Sequence, residues 1–262
     1  MFVWRLIRVI FQILKGLAIC AFIMPGACST QRQQLIKRWS SQLLLICRVR
    51  TEIIDIDGHP VVHVDVPHDT KHNLVVANHV SWLDIFAIDS MEPCRFVAKS
   101  DIREWPVLGY IARSVDTVFI ARGKPRDVRN AFHNLVESLR AGERVAFFPE
   151  GTTCAQGNIL PFHANLFEAA IDAGVPVQPI ALRYLDPAGK LYAGANFIDD
   201  MGFLESLLII LKGPVIRAQL IVLPSIPSDF MNRRVLASTT HDQIANALGY
   251  STVSIMPEGG ST

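Results

Sequence analysis

From Thr51 onward, short runs rich in β-branched residues alternate with stretches of helical spacing, and this alternation leaves few folds open. Strands interleaved with helices form a sheet whose faces are covered by those helices, the α/β arrangement. Thr51–Ile56 and Pro60–Val66 read as a hairpin about Asp57-Gly58. Asn73–Asn78, Val115–Arg122, Val145–Phe148, Val177–Tyr184 and Val215–Leu223 read as further strands. Val128, Ala131, Phe132, Leu135, Val136 and Leu139 recur at helical spacing, with Pro125 near the start and Gly142 past the end. The expected fold is α/β, a mixed central sheet flanked by helices over residues 51–262, preceded by a two-helix segment over residues 1–50. No internal repeat or low-complexity tract divides the body.

The first fifty residues follow a different pattern. Residues 1–51 hold eight Lys or Arg and no Asp or Glu. The remainder holds 17 basic and 24 acidic residues, a balance of −7 hidden beneath the net charge of +1. A basic, apolar start on a mildly acidic body points to an anionic membrane surface rather than to nucleic acid. Arg5, Arg8, Gln12 and Lys15 are spaced 3, 4 and 3 apart. At about 100° per residue they share one helical stripe, and the rest of that helix is apolar. The longest uninterrupted apolar run, Gly16–Cys28, has thirteen residues, short of the roughly twenty that a spanning helix needs. Charge as late as Lys15 disfavours a signal peptide. A second helical stretch, Arg32–Cys47, mixes basic residues with Leu35, Ile36, Trp39 and Leu43–Ile46. The expectation is a two-helix membrane anchor with its cationic stripe turned to lipid phosphates, at the cytoplasmic face of the inner membrane. A single spanning helix with snorkelling Arg5 and Arg8, or an ordinary docking helix, are the alternatives. Cys20, Cys28, Cys47, Cys94 and Cys154 are odd in number and lack a CxxC pair; they read as reduced, buried small residues.

Two short segments carry the chemistry. Asn78-His79-Val80-Ser81-Trp82-Leu83-Asp84 follows a strand, at the edge where open α/β sheets hold their ligands. On a continuous helix His79 and Asp84 would diverge by about 140°. Ser81-Trp82-Leu83-Asp84 resembles a capping box, which starts the helix after His79 and lets the imidazole fold back onto Asp84. An imidazole is a competent base near neutral pH, and a carboxylate on its other N–H fixes the tautomer and stabilises the imidazolium. Each residue alone has a bland reading: a structural histidine after a strand, an acid favoured by a helix start. Phe148-Pro149-Glu150-Gly151-Thr152 closes a buried strand and has to turn, either as a plain β-turn or as a way of presenting backbone N–H groups and Glu150 at the same edge. Arg122 ends its own strand with a fork shaped for a phosphate. Lys124, Arg126 and Arg129 read as solvated. A base, its carboxylate and a polar turn suggest a site that deprotonates an alcohol and passes an acyl group to it.

In this order the segments resemble the glycerolipid acyltransferase family typified by 1-acylglycerol-3-phosphate acyltransferases. The matching blocks are NHVSWLD (78–84), VFIAR (118–122), FPEGT (148–152) and VPVQPIAL (175–182). The resemblance implies His79 as general base and Asp84 as its partner. It places Arg122, Glu150, Gly151 and Thr152 in acceptor binding, and makes Lys99, in the connecting Phe96-Val97-Ala98-Lys99, a site-lining cation. One departure stands out. Members acting on lysophosphatidic acid often continue the third block with Arg-Ser, whereas this chain reads Thr152-Thr153-Cys154. Phe148–Phe162 is similar to relatives that acylate other lysolipids, lyso-ornithine lipid among them.

The implied reaction is direct acyl transfer from an acyl thioester to the free hydroxyl of a lysophospholipid. Coenzyme A or acyl carrier protein is the implied carrier of the co-substrate, and 1-acyl-sn-glycerol-3-phosphate the first acceptor. No cofactor or metal is implied; the sequence holds no zinc-ligand cluster and no GxSxG elbow. A His–Asp hydrolase is the enzymatic rival. A peripheral lipid-binding protein accounts for residues 1–50 and leaves His79, Arg122 and Glu150 without a role.

Overall fold

A computed structural model describes residues 2–61, 73–120 and 125–250. Two long helices open the chain, α1 (Phe2–Ala18) and α2 (Ser29–Ile46), joined by a π turn over Ile19–Ile23 and a 3₁₀ turn over Met24–Gly26. The body then runs β1 (Val49–Ile54), β2 (Leu74–Ala77), α3 (Leu83–Met91), β3 (Arg95–Lys99), α4 (Leu108–Ser114), β4 (Val118–Ile120), α5 (Pro125–Arg140) and β5 (Val145–Phe147). It closes with α6 (Glu168–Ala173), β6 (Val177–Leu185), α7 (Phe203–Lys212), β7 (Ile216–Val222) and α8 (Arg233–Leu248).

The strands form one sheet in the order β1-β7-β6-β2-β5-β3-β4. Strands β6, β2, β5, β3 and β4 are parallel, β7 is antiparallel to β6, and β1 is parallel to β7, so the sheet is mixed. Its centre is buried on both faces, which is why Leu74-Val75-Val76-Ala77 is continuously apolar rather than alternating. Leu74 and Val76 face a cluster with Leu135 and Leu139 of α5, Ala169 of α6 and Leu236 of α8. Val75 and Ala77 face another with Leu43 and Leu44 of α2, Leu83 and Ala87 of α3, and Leu207 and Ile210 of α7.

Several expectations shift. The hairpin about Asp57-Gly58 begins as read, with Asp55 N donating to His59 O at 3.0 Å and Val61 N to Ile53 O at 2.8 Å. Its return past Val61 lies outside the described residues, and β1 finds its ladder in β7 instead. Val115–Arg122 contracts to Val118–Ile120, because Val115 ends α4 and Asp116 takes a positive φ of 59°. Arg95–Lys99, read only as a connecting segment, is a sheet strand between β5 and β4. Among the cysteines, Cys28 is exposed rather than buried.

The largest correction concerns α1. Part of its polar stripe turns inward, at Arg5 and Gln12, while Lys15 is exposed. Arg5 Nη1 donates to Leu211 O at 2.7 Å, at the C-terminal end of α7, where a cation meets the negative end of the helix dipole. Gln12 is 4% exposed; its Nε2 donates to Trp39 O at 3.0 Å, and Lys15 Nζ donates to Gln42 Oε1 at 2.8 Å. Arg8 stays exposed. The outer face is apolar: Trp4 is 64%, Phe11 69% and Phe22 85% exposed. The stripe is therefore the glue between helix and body, and the apolar flank is what the surroundings meet. The continuous helical run Phe2–Gly26 is long and apolar enough to cross a membrane by length and composition.

Gly16 lets the two helices close. A Cβ there would lie 2.7 Å from Trp39 Nε1 and 2.9 Å from Cε2, and Trp39 Nε1 donates to Gln12 O at 2.9 Å. Gly16→Ala gains about 1 kcal/mol of helix propensity but overpacks this contact. The net expectation is a loss of about 1–2 kcal/mol, read as a lower unfolding midpoint in detergent. Asp89 on α3 is buried and accepts a hydrogen bond from Cys94 N at 3.1 Å. Burial pushes its carboxyl up to about 8. A folded value above the unfolded one contributes stability at low pH that is lost as pH rises through about 8. Asp89→Asn keeps the acceptor and removes the charge. Its unfolding midpoint should fall less steeply than wild type between about pH 4 and 8, a comparison that thermal melts across that range supply.

Candidate active site

Parallel pairing assembles the site. Val76 of β2 is in register with Phe147 of β5, so three residues beyond each, His79 and Glu150 emerge together at the carboxyl edge of the sheet. Sequence distance is irrelevant to this meeting; strand register decides it. Asn78 covers the place where β2 leaves the sheet. Its side chain mimics one more rung, Nδ2 donating to Leu182 O at 2.9 Å and Oδ1 accepting from Leu182 N at 2.8 Å.

His79 Nδ1 lies 2.7 Å from Asp84 Oδ2. The fold-back occurs because α3 starts only at Leu83, after a turn in which Asp84 N donates to Ser81 O at 3.2 Å. The capping reading holds only in part: Ser81 N donates to Asp84 Oδ2 at 2.9 Å, but Ser81 Oγ accepts from Leu83 N at 3.3 Å rather than from Asp84 N, and the residue that caps α3 is Trp82, without a side-chain cap bond. Val80 N adds a third bond to Oδ2 at 2.7 Å. Asp84 has no solvent exposure, whereas the His79 side chain is 19% exposed. Because the carboxylate accepts donors on every side, Nδ1 carries the proton and Nε2 keeps its lone pair for chemistry. Phe148 stacks on one face of the imidazole, with centroids 4.0 Å apart and planes at 8°. Phe96 of β3 continues the stack on Phe148 at 6.0 Å.

Glu150 braces the backbone around His79. Oε1 accepts from His79 N at 2.7 Å and Oε2 from Leu160 N at 2.9 Å. Burial pushes its carboxyl up to about 7, and the two amide bonds and His79 oppose that rise. Gly151 turns the chain with φ +69°, and its N–H closes the turn onto Phe148 O at 3.2 Å. Cys154 N then donates to His79 O at 2.7 Å, so His79 is held through both its amide and its carbonyl. Thr152 is exposed on this turn, and Lys99 is exposed at the end of β3. The structure thus brings His79, Asp84, Glu150 and Gly151 together. Arg122 lies outside the described residues.

Two participants escape the sequence reading. Tyr184 on β6 donates its hydroxyl to Asp84 Oδ1 at 2.6 Å. It looks like one more core aromatic of a buried strand, and its two-residue spacing from Leu182 puts both on the face that packs with α3. Gln156 accepts from Tyr184 N at 2.6 Å and donates to Tyr192 O at 3.1 Å. Together with the bond from Thr153 Oγ1 to Phe197 O, these contacts fasten the loop after the Gly151 turn to the segment between β6 and α7.

Comparison with known proteins identifies the family and the fold. The family model described as Acyltransferase matches residues 60–183. A 1-acyl-sn-glycerol-3-phosphate acyltransferase of Neisseria meningitidis serogroup B is 39% identical over 176 residues, 67% of this chain and 66% of that protein's length. A lyso-ornithine lipid O-acyltransferase of Pseudomonas aeruginosa is 33% identical over 249 residues, 93% of this chain and 92% of that protein. The fold matches the crystal structure of the 1-acyl-sn-glycerophosphate acyltransferase from Thermotoga maritima with a TM-score of 0.63, at 20% identity, covering 94% of this chain and 96% of that one. With a named relative aligned along nearly its whole length, this chain belongs to the glycerolipid acyltransferase family.

Proposed function

We propose that the protein transfers a fatty acyl group from an acyl thioester to the free hydroxyl of a lysolipid, with His79 as general base. The observation that carries this reading is the 2.7 Å contact between His79 Nδ1 and a buried Asp84, which leaves Nε2 as the reactive nitrogen at the carboxyl edge of the sheet. Nε2 takes the acceptor's hydroxyl proton as its oxygen attacks the thioester carbonyl. The C–O ester bond forms, the C–S bond breaks, and the leaving thiolate takes the proton back from the imidazolium. The Gly151 amide already closes its turn, so stabilisation of the oxyanion falls to the remaining N–H groups of that segment. Arg122 and Lys99 hold anionic parts of the substrates, and Thr152 lines the acceptor side. The thioester arrives on coenzyme A or acyl carrier protein.

The first acceptor is 1-acyl-sn-glycerol-3-phosphate, giving phosphatidic acid, on the strength of the 39% identity to the Neisseria enzyme. Lyso-ornithine lipid is the second reading. It is favoured by Thr152-Thr153-Cys154, which puts no cation after Gly151, and by near full-length alignment with the Pseudomonas enzyme. Both acceptors are membrane lipids. The exposed apolar flank of α1 suits the boundary between headgroups and acyl chains at the cytoplasmic face of the inner membrane.

Membranes containing the protein, labelled acyl-CoA or acyl carrier protein, and each lysolipid in turn test the reading. Labelled phosphatidic acid identifies the first acceptor, and labelled ornithine lipid alone identifies the second. His79→Ala should lower kcat by roughly 10²–10⁴; unchanged turnover in that variant removes the base mechanism. Glu150→Gln replaces one acceptor oxygen by an NH₂ that faces a backbone N–H. The expected cost is about 1–3 kcal/mol of stability together with reduced turnover. Wild-type melting and activity in Glu150→Gln would show that the brace is dispensable.

A further inference from the structure

Tyr184 is fully buried on β6 and stands 100 residues from Asp84 in sequence. A phenol taken out of water needs a partner for its O–H, and this one takes the outer oxygen of the carboxylate at 2.6 Å. The two oxygens of Asp84 are thereby divided in function. Oδ2 accepts from His79 Nδ1, Val80 N and Ser81 N, all close to it in sequence, while Oδ1 accepts from across the sheet. The strand bringing Tyr184 is itself pinned at this point, by the two Asn78–Leu182 bonds and by Gln156 on the Tyr184 amide.

We infer that Tyr184 is a positioning residue for the acyl transfer, fixing the rotation of the Asp84 carboxylate and drawing off part of its charge. The inference rests on the His79–Asp84 base proposed above. The terminal torsion of an aspartate is broad, so bonds to one oxygen alone leave the plane of the group poorly determined. A donor on the second oxygen sets that plane, and through it the direction of the imidazole. The same bond spreads negative charge that would otherwise concentrate on Oδ2 and hold the proton of the His79–Asp84 pair too tightly. Burial, with Asp84 adding to it, raises the Tyr184 phenol well above its usual range, so it remains a donor at any pH where the enzyme works. Titratable neighbours of the pair include Glu150, which accepts from His79 N, Cys154, whose amide donates to His79 O, and His163, whose ring lies beside Gly151. Phe148, on the ring face, carries no charge.

Tyr184→Phe keeps the ring and removes the hydroxyl. The expected result is a kcat lowered about 10- to 100-fold, with KM for lysolipid and thioester within about twofold. The acid limb of log(kcat/KM) against pH should move upward by about one unit, because the deprotonated pair loses the donor that spread its charge. Placing 3,5-difluorotyrosine at position 184 supplies a stronger donor of nearly the same shape and should move the limb downward; this arm carries the test should the phenylalanine variant fold poorly. A purely structural contact lowers the amount of folded enzyme without moving the limb in opposite directions. An acid limb unmoved by both replacements overturns the inference, whether or not kcat changes. Full activity in His79→Ala sinks the base mechanism itself, whereas an inactive His79→Ala beside an unaltered Tyr184→Phe removes only the role of Tyr184.

Discussion

A carboxylate cut off from solvent has to find its hydrogen-bond donors inside the fold, and the Asp84 side chain organises the catalytic edge around that need. Burying a charge without partners costs far more than a domain's net stability can absorb. Asp84 meets the requirement with two backbone amides, an imidazole and a phenol. Each donor constrains a different element. The amides of Val80 and Ser81 require the tight turn that delays α3 to Leu83. The imidazole requires His79 to leave β2 pointing back toward the helix. The phenol requires β6 to stand in one register beside β2. A slip of one residue in β6 would send Tyr184 to the opposite face of the sheet and leave Oδ1 without that donor.

Glu150 solves the complementary problem. Where β2 and β5 end, their amides lose their partners in the ladder, and unpaired amides in a buried place are costly. One carboxylate accepts from the His79 amide just beyond β2 and from the Leu160 amide in the loop that follows β5, and so welds the third block to the first. Both acids are buried, yet their tasks differ. Asp84 holds the His79 side chain proposed as the base, whereas Glu150 holds the backbone that carries it.

Much of this is legible in the sequence. Continuous apolar runs such as Leu74–Ala77 fixed the buried parallel strands, and the Ser81–Asp84 capping pattern explained how His79 and Asp84 could meet despite their five-residue spacing. Three features were not legible, each for a physical reason. Arg95–Lys99 holds only three consecutive apolar residues between two cations, too short a run to distinguish a strand from a connecting loop, and its identity comes from pairing with β5 and β4. Tyr184 has the composition of any core aromatic, and only the register of β6 against β2 shows that its hydroxyl reaches Asp84. The spacing shows the polar stripe of α1, but not that Arg5 and Gln12 turn toward the body while Arg8 and Lys15 stay exposed. Periodicity reports that a helix has two faces, not which face meets water, protein or lipid.

That last inversion bears on how the site relates to a membrane. In a soluble protein the polar face of a surface helix is solvated; here Arg5, Gln12 and Lys15 bond to α7 and α2 while Phe11, Leu14 and Phe22 face outward. The bonds of Arg5 and Gln12 fasten α1 to the body, while Arg8 and Lys15 remain exposed. From it a series of rigid contacts leads inward: Gly16 closes on Trp39, Trp39 meets Phe86 of α3 at 5.6 Å, and Phe86 meets Trp82 at 5.9 Å. Trp82 is pinned through its indole N–H to Ser206 of α7 at 3.1 Å, and it stands two residues before Asp84. These are close-packed aromatic and helical contacts with little room to give. With α1 lying in the lipid interface as proposed, the height of His79 above the acyl chains follows from packing alone. A lysolipid whose tails stay in the bilayer then meets the base at a set depth, and acceptors differing in the distance from hydroxyl to tail are discriminated by geometry as well as by headgroup charge.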